Sequence, residues 1–221
     1  MKLLNLLYPP KCAFCRCLVP NERQLCTECA KTLPTPPFDR QLRDLAGLDE
    51  CLYPLYYTES VRESLHRYKF HGAAAYARIY GELMADCLQQ HGVSADLVSW
   101  IPLSRRRLRR RGYDQAELLA REVAKRCELP CECLLRKIRH NPAQSGVQNA
   151  EARRQNVKGV YHAERKLSGE RILLIDDIIT TGSTMQEAAA QLRNAGAGQI
   201  VGLSVAGTTV ESNGDRDYAD I

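Results

Sequence analysis

The stretch of sequence that decides the fold spans residues 171–184 and reads RILLIDDIITTGST. Its four apolar residues at 172–175 are typical of a buried strand in a parallel sheet. Two carboxylates, Asp176 and Asp177, follow where that strand is expected to end, and a loop of small residues leads into a helical pattern at 185–195. Strand, carboxylates, loop and helix in this order predict one unit of an open α/β sheet.

The same stretch predicts a binding site, because ligands of open α/β sheets bind outside the carboxyl ends of the strands. The loop consists of Thr180, Thr181, Gly182, Ser183 and Thr184. Such a loop offers backbone N–H groups and hydroxyls to a phosphate at the start of a helix. The carboxylates of Asp176 and Asp177 would repel an anion but suit the hydroxyls of a ribose, so the combination indicates a ribose 5-phosphate. The alternative is an ordinary buried strand that ends in a turn.

Length and composition fit one α/β domain with a small additional module. The chain has 221 residues, 44% of them hydrophobic, and a net charge of +5 that favours anionic ligands without establishing nucleic acid binding. No apolar run approaches the roughly 18 residues that a membrane helix needs. The apolar start at residues 1–10 is too short for a secretory signal, and no small-residue cleavage site follows. We therefore expect a cytoplasmic protein with no membrane insertion.

Four of the ten cysteines form two Cys-x2-Cys pairs, Cys12 with Cys15 and Cys26 with Cys29, separated by ten residues. Disulfides are rare in the cytoplasm, and two such pairs can close a tetrahedral site around structural Zn²⁺. Cys17 is a spare or competing ligand. The alternative is a set of buried free thiols.

The cysteine pairs divide the chain into two predicted units. Residues 1–37 form a four-cysteine zinc-binding module and linker, and residues 38–221 form the α/β domain. Strands are expected at 51–58, 97–103, 131–135, 159–163, 172–175 and 199–207, with helices between several of them. Strands that alternate with helices predict a doubly wound parallel sheet. One of these helices is expected to begin at Asp114, with Glu117 completing a capping box.

An arginine-rich stretch at residues 104–112 reads SRRRLRRRG and follows a predicted strand. It is interpreted in three ways: as a solvated basic face, as a contact for nucleic acid phosphates, or as a diphosphate site. Its place at a strand end favours a diphosphate site for Ser104, Arg105, Arg106 and Arg107. The remaining arginines exceed what one diphosphate needs, so they would face solvent or a polyanion.

Residues 136–158 are polar and basic, with little periodicity. A segment of this length inside a compact domain is usually a lid or is disordered. Reaction at C1 of the expected ribose 5-phosphate would pass through a cationic sugar that water would trap, which favours a lid.

Several motifs converge on one family. Residues 172–184 resemble the phosphoribosyl-diphosphate (PRPP) signature of type I phosphoribosyltransferases at every position. The other motifs, in chain order, are LLYPP at 6–10, YKFHG at 68–72, IPLS at 101–104, RGYDQA at 111–116, Gln144 and RRQNV at 153–157. Together they resemble the ComF/GntX family of phosphoribosyltransferase-like proteins over nearly the whole chain.

The resemblance implies a type I phosphoribosyltransferase fold, with Asp176 and Asp177 on the ribose hydroxyls and residues 180–184 on the 5-phosphate of PRPP. It also implies Mg²⁺ between ribose and diphosphate oxygens, a nucleobase or nucleotide acceptor, and a role in competence for DNA uptake or use of extracellular DNA. Single-stranded DNA and DNA-processing proteins would then be partners. The alternatives are a non-catalytic PRPP sensor, a single-stranded-DNA-handling adaptor, and a transcriptional regulator on the same fold.

The C-terminal residues offer no obvious segment to cover the acceptor side of the site. Only residues 208–221 follow the last predicted strand, and they are polar. In purine phosphoribosyltransferases the hood that reads the base comes from the C-terminal end. We therefore expect the N-terminal cysteine module to supply the hood here.

Overall fold

A parallel sheet is the largest regular element of the computed structural model, which describes residues 9–20, 23–139 and 158–208. Numbered in chain order, its strands are β1 (Glu50–Leu52), β2 (Leu55–Tyr56), β3 (Leu97–Trp100), β6 (Arg171–Ile179) and β7 (Gln199–Gly207). The strand order is β1-β7-β6-β3, and β2 also pairs with β7. The α/β class with a parallel sheet, predicted from the sequence, is confirmed.

Helices cover both faces of this sheet. They are α1 (Thr27–Thr32), α2 (Glu59–Phe70), α3 (Ala77–Gln90), α4 (Arg105–Arg111), α5 (Gln115–Cys127) and α6 (Ser183–Asn194). Leu173 and Ile175 of β6 pack in one core cluster with α2, α3 and α5, whereas Ile172 and Leu174 pack in a second cluster with α6. Successive strand residues point to opposite faces, so the apolar run is buried on both sides. None of the helices in the described ranges combines the length and apolar character that a bilayer crossing requires.

Two predicted strands have different bounds in the structure. The predicted strand at 51–58 is divided into β1 and β2 around Pro54, which has no N–H to donate. The signature strand was expected to end before the carboxylates, but β6 continues through both of them to Ile179. It continues because β7 pairs alongside it as far as Ile179 and Gly207.

The strand predicted at 131–135 is not a strand of the parallel sheet. Cys131 makes a single parallel bridge to Val98, and the Leu134 N–H then donates to the buried Ser99 hydroxyl at 3.1 Å. The chain next forms β4 (Leu135–Lys137), which pairs antiparallel with β5 (Tyr161–Ala163). The predicted lid at 136–158 thus begins within β4, and its residues 140–157 lie outside the described part of the chain.

The arginine-rich stretch forms a helix, α4, which the sequence analysis did not predict. Ser104 is its N-cap and accepts a hydrogen bond from the Arg107 N–H, and Gly112 ends it with a φ of 82°. Arginine is a good helix former, and a left-handed glycine is a common helix end. Arginines four residues apart repel one another, so α4 brings together charges that favour an anionic neighbour.

The helix predicted to begin at Asp114 is confirmed as α5. The Asp114 carboxylate accepts hydrogen bonds from the Ala116 and Glu117 N–H groups. The Glu117 carboxylate pairs with Arg121 at 2.8 Å instead of completing the predicted capping box.

Candidate functional site

The two carboxylates of the signature are held at the carboxyl end of β6. The Asp177 carboxylate forms an ion pair of 2.9 Å with Lys69 Nζ, and both side chains are less than one-fifth exposed. The Asp177 N–H donates to the Asp176 carboxylate at 2.8 Å. One carboxylate of the pair is therefore paired with a lysine from α2, and the other accepts a hydrogen bond within the strand.

Among the described carboxylic acids, Asp176 has the pKa that lies furthest from its ordinary value. Burial, and then the nearby charge of Asp177, raise its pKa to about 8, while the Asp177 N–H and Lys69 act in the opposite direction. Two adjacent carboxylates in a half-buried site cannot both ionise without cost. The charged form of Asp176 is therefore disfavoured in the unliganded site, and a bound cation would favour it.

The loop at 180–184 turns sharply at Gly182, which precedes α6. Gly182 has a φ of 74°, which strains any residue with a side chain, and a Cβ added there would also force the Leu45 side chain to move. The Thr181 and Ser183 hydroxyls are hydrogen-bonded to each other at 2.8 Å. The first turn of α6 carries no acidic residue, and the N-terminal dipole of its twelve residues favours an anion.

A segment that follows the cysteine module supports this loop from outside. Leu45 packs beneath Gly182, and Arg43 Nη1 donates to the Thr208 carbonyl at 3.5 Å. The Thr208 hydroxyl in turn donates to the Thr180 carbonyl at 3.3 Å. No motif in the sequence indicated this role for Arg43 or Leu45.

The loop after β3 lies at the same edge of the sheet, since the Ile101 N–H donates to the Ile175 carbonyl at 3.0 Å. The Asp114 carboxylate holds this loop by accepting from the Leu103 N–H at 2.7 Å, and burial raises its pKa to about 6. Ser104 is buried as the cap of α4, whereas the side chains of Arg105 and Arg106 are exposed.

Lys137 supplies a positive charge at this site. From the sequence it was only one residue of the basic segment at 136–158. Its Nζ donates to the Tyr161 hydroxyl at 3.4 Å and lies 5.2 Å from the centre of that ring. Burial, followed by the charge of Arg107, lowers the pKa of Lys137 to about 8, while Asp176 acts in the opposite direction. Lys137 and Arg107 therefore place two interacting positive charges near the carboxylates.

Two of the short motifs quoted above meet beside Lys69. The Tyr68 hydroxyl donates to the Gln115 carbonyl at 2.8 Å, and the Tyr113 hydroxyl donates to the Tyr68 carbonyl. Arg111 donates to the Gln115 side chain at 2.6 Å. These bonds join the end of α2 to the start of α5, and they fix the position from which Lys69 reaches Asp177.

The four predicted zinc ligands converge. The sulfur atoms of Cys12, Cys15, Cys26 and Cys29 all lie within 4.8 Å of one another. Zn–S bonds of about 2.3 Å in a tetrahedral site place sulfurs about 3.8 Å apart, so this set fits Zn²⁺. The Cys26 and Cys29 N–H groups donate to Cys12 and Cys26 sulfurs at 3.5 and 3.3 Å. Cys17 is exposed and outside the group.

The cysteine module packs directly on the α/β domain. Arg67 of α2 donates to the Ala13 and Phe14 carbonyls at 2.9 and 2.8 Å, and the Ser64 hydroxyl donates to the Ala13 carbonyl at 2.5 Å. The Phe14 ring meets Tyr80 edge-on at 6.3 Å. The first cysteine pair thus shares a core with the helix that carries Lys69.

We expect one zinc ion per chain, measured by elemental analysis, because the described cysteines bring only one set of four sulfurs together. Cys26→Ser combined with Cys29→Ser should lose the metal and unfold residues 1 to about 35. It should also lower the thermal stability of the remainder, since Phe14 packs on α3. Cys17→Ser is the control and should keep full zinc occupancy. Full occupancy in the double variant would contradict this ligand set.

The Lys69–Asp177 ion pair should contribute measurably to stability. A double-mutant cycle with Lys69→Met and Asp177→Asn is expected to give a coupling energy of about 1.5–3 kcal/mol in urea unfolding, because both groups are mostly buried. The exposed Glu59–Arg62 pair on the same helix is the matched control, and its coupling energy should be clearly smaller because solvent screens it. Equal couplings for the two pairs would mean that the site gives Lys69 no special environment.

Asp176 should destabilise the folded protein increasingly as pH rises. Its pKa is about 8 in the folded chain, against about 3.9 when unfolded, so the favourable proton is lost as pH rises through the folded value. Asp176→Asn should therefore stabilise the protein relative to wild type, by more at pH 8 than at pH 6. Asp86→Asn, which changes an exposed carboxylate of α3, is the control. If the difference in unfolding free energy between Asp176→Asn and wild type does not change with pH, the raised pKa of Asp176 is refuted.

Comparison with known proteins gives two family matches. The Phosphoribosyl transferase domain family matches residues 110–217, and the Double zinc ribbon domain family matches residues 3–40. Competence protein F of Haemophilus influenzae is 27% identical over 86% of this chain and 82% of its own length. DNA utilization protein YhgH of Salmonella typhimurium is 28% identical over 86% of both chains. Competence protein ComFC of Streptococcus pneumoniae is 27% identical over 81% of this chain and 79% of its own length.

The matches agree with the features derived from residues and geometry. The ribbon match contains the four converging cysteines, and the transferase match contains the carboxylates and the loop at 180–184. The relatives align with most of the chain, across both matches. The chain therefore has a zinc ribbon ahead of a phosphoribosyl transferase domain, and over most of its length it is similar to proteins named for competence and DNA utilization.

Proposed function

We propose that this protein binds PRPP with Mg²⁺ and transfers its ribose 5-phosphate to a nucleobase or nucleotide acceptor. The observation that carries the proposal is the half-buried carboxylate pair of Asp176 and Asp177 at the end of β6, directly before a glycine-turned loop and the start of α6. In this proposal residues 1–37 act as the zinc-binding unit and residues 38–221 as the transferase unit.

The ribose 5-phosphate would lie along the end of β6. Its phosphate would bind the loop formed by Thr180, Thr181, Gly182, Ser183 and Thr184, where the start of α6 favours negative charge. Its 2- and 3-hydroxyls would bind Asp176 and Asp177. Lys69 keeps Asp177 in place and offsets its charge, which would otherwise repel the phosphates.

The diphosphate would lie toward the loop after β3. Ser104, Arg105, Arg106 and Arg107 are the residues proposed for it from the sequence, and Lys137 adds positive charge on the same side. An arriving diphosphate would favour the charged form of Lys137, whose pKa is lowered by burial. The dianionic groups of PRPP would thus be matched by the cations of α4 and β4.

The reaction breaks the bond between the sugar C1 and the diphosphate oxygen and forms a bond from C1 to the acceptor nitrogen. Positive charge develops on the sugar, and the carboxylates of Asp176 and Asp177 would stabilise it. The arginines and Lys137 would stabilise the departing diphosphate. Half-buried carboxylate oxygens are ligands that Mg²⁺ favours, and the ion would supply further positive charge to the diphosphate.

The acceptor would approach beneath the segment that leaves the cysteine module. The Tyr56 N–H donates to the Pro34 carbonyl at 2.7 Å, and Arg43 reaches Thr208 just after β7. Tyr57 lies close enough to Asp177 for that charge, together with burial, to raise its pKa. These contacts support the proposal that the N-terminal part of the chain supplies the hood.

We further propose that the activity serves the use of DNA in the cytoplasm, by analogy with relatives named for competence and DNA utilization. Arg109 and Arg110 lie on the exposed side of α4 and are the residues proposed to contact single-stranded DNA. DNA-processing proteins would be the corresponding partners.

The binding proposal is tested by calorimetry with PRPP and Mg²⁺. Asp176→Asn combined with Asp177→Asn should weaken binding by about 2–4 kcal/mol, since two charged hydrogen bonds to the ribose are lost. Asp86→Asn should bind as the wild type does. Unchanged affinity in the double variant would remove the carboxylates from the site.

Transfer is tested separately by pyrophosphate release in a screen of nucleobases and nucleosides. Release that depends on one acceptor supports the enzyme. PRPP binding without release for any acceptor would instead identify a non-catalytic sensor or a DNA-handling adaptor.

A further inference from the structure

A cavity of about 600 Å³ lies outside the proposed PRPP site, between the first cysteine pair and the outer face of α2. Lys11 and Arg16 contribute to it from the ribbon, and His66 contributes from α2. His71 and Tyr76 line it from the segment that follows α2. Its volume lies in the range of about 300–1,000 Å³ found for small-molecule sites, and it forms between two domains, where such sites are common.

Two cations at this cavity have no ion-pair partner in the part of the chain that the structure describes. The carboxylates of α2 that line it are each paired along the helix, Glu59 with Arg62 at 2.6 Å and Glu63 with Arg67 at 3.6 Å. Lys11 and Arg16 form no ion pair with any residue in the described ranges. Their side chains come from an exposed hairpin and converge on the cavity, so it offers a site for an anionic group.

The other walls suit a planar, partly polar group. The His66 and His71 rings lie 5.3 Å apart, and the Tyr76 ring is held edge-on against Tyr80 at 6.3 Å. Aromatic faces of this kind stack on nucleobases. The carboxylates on α2 can accept hydrogen bonds from amino or hydroxyl groups.

We propose that this cavity binds a nucleoside 5-monophosphate, with its phosphate on Lys11 and Arg16 and its base among His66, His71 and Tyr76. None of these residues belongs to the carboxylate pair, the loop at 180–184 or the diphosphate side. Helix α2 contains both His66 and Lys69, and Lys69 pairs with Asp177. The two sites therefore share one rigid element.

The zinc cluster sets the position of both cations. Lys11 precedes the ligand Cys12, and a single bridge joins it to Leu18 across the hairpin. Arg16 follows the ligand Cys15 and has a φ of 66°, a left-handed conformation at the tip of the turn. Metal binding to the cysteines therefore orients the side chains that would hold the phosphate.

The test uses the full-length, zinc-loaded protein and measures binding of AMP, GMP, CMP and UMP by equilibrium dialysis, with the corresponding nucleosides alongside. We expect at least one monophosphate to bind, and its nucleoside to bind at least tenfold more weakly. Lys11→Ala combined with Arg16→Ala should lose at least tenfold in affinity while keeping full zinc content and an unchanged melting temperature. Arg78→Ala combined with Lys125→Ala removes the same charge from exposed positions elsewhere and should bind normally.

The carboxylate variant separates the two sites. Asp176→Asn combined with Asp177→Asn should leave monophosphate binding unchanged, whether or not PRPP binds, so the inference stands independently of the proposed transferase function. The proposal is overturned if monophosphate binding is lost in the carboxylate variant but retained in Lys11→Ala plus Arg16→Ala. That result would assign the nucleotide to the β6 edge. Binding of a single-stranded oligonucleotide with no binding of any monophosphate would also overturn the proposal.

Discussion

The pairing of β6 with β7 is the interaction on which the rest of the structure depends. Because β7 runs beside β6 as far as Ile179, the strand continues past its apolar run, and Asp176 and Asp177 become part of a rigid edge. Two neighbouring carboxylates in a half-buried strand are unfavourable, as the raised pKa of Asp176 shows. The Lys69 ion pair offsets part of this cost. A strained pair of acids held in this way is typical of binding and catalytic sites.

The zinc ribbon is a structural part of the α/β domain as well as a separate sequence unit. Arg67 and Ser64 bind the backbone of the first cysteine hairpin, and Phe14 packs on Tyr80. Helix α2, which carries Ser64 and Arg67, also carries near its C-terminal end Lys69, the lysine that pairs with Asp177. Metal binding, the packing of α2 and the electrostatics of the β6 edge are therefore physically connected through one helix.

The parts of the site that could be predicted from sequence are those whose residues are close together in the chain. The signature at 172–184 contains its own strand, carboxylates, turn and helix start, and local rules of hydrogen bonding and turn formation specify each of them. The paired cysteines are predictable for the same reason, since a Cys-x2-Cys spacing already points two thiolates at one ion. Helix α4 was missed because a run of charges suggests a solvated loop, although Ser104 and Gly112 are clear end signals.

The sequence by itself determined the α/β class, the carboxylate pair, the glycine-turned loop at 180–184 and the converging cysteines, because each depends on short-range spacing. Only the tertiary structure decided which distant residues complete the site. Lys69 reaches Asp177 across more than one hundred residues of chain, and Leu45 fills the space that a side chain at position 182 would enter. Lys137 reaches the same edge because β4 turns away from β3 to pair with β5. Such contacts depend on how helices and strands pack, and no local pattern encodes them.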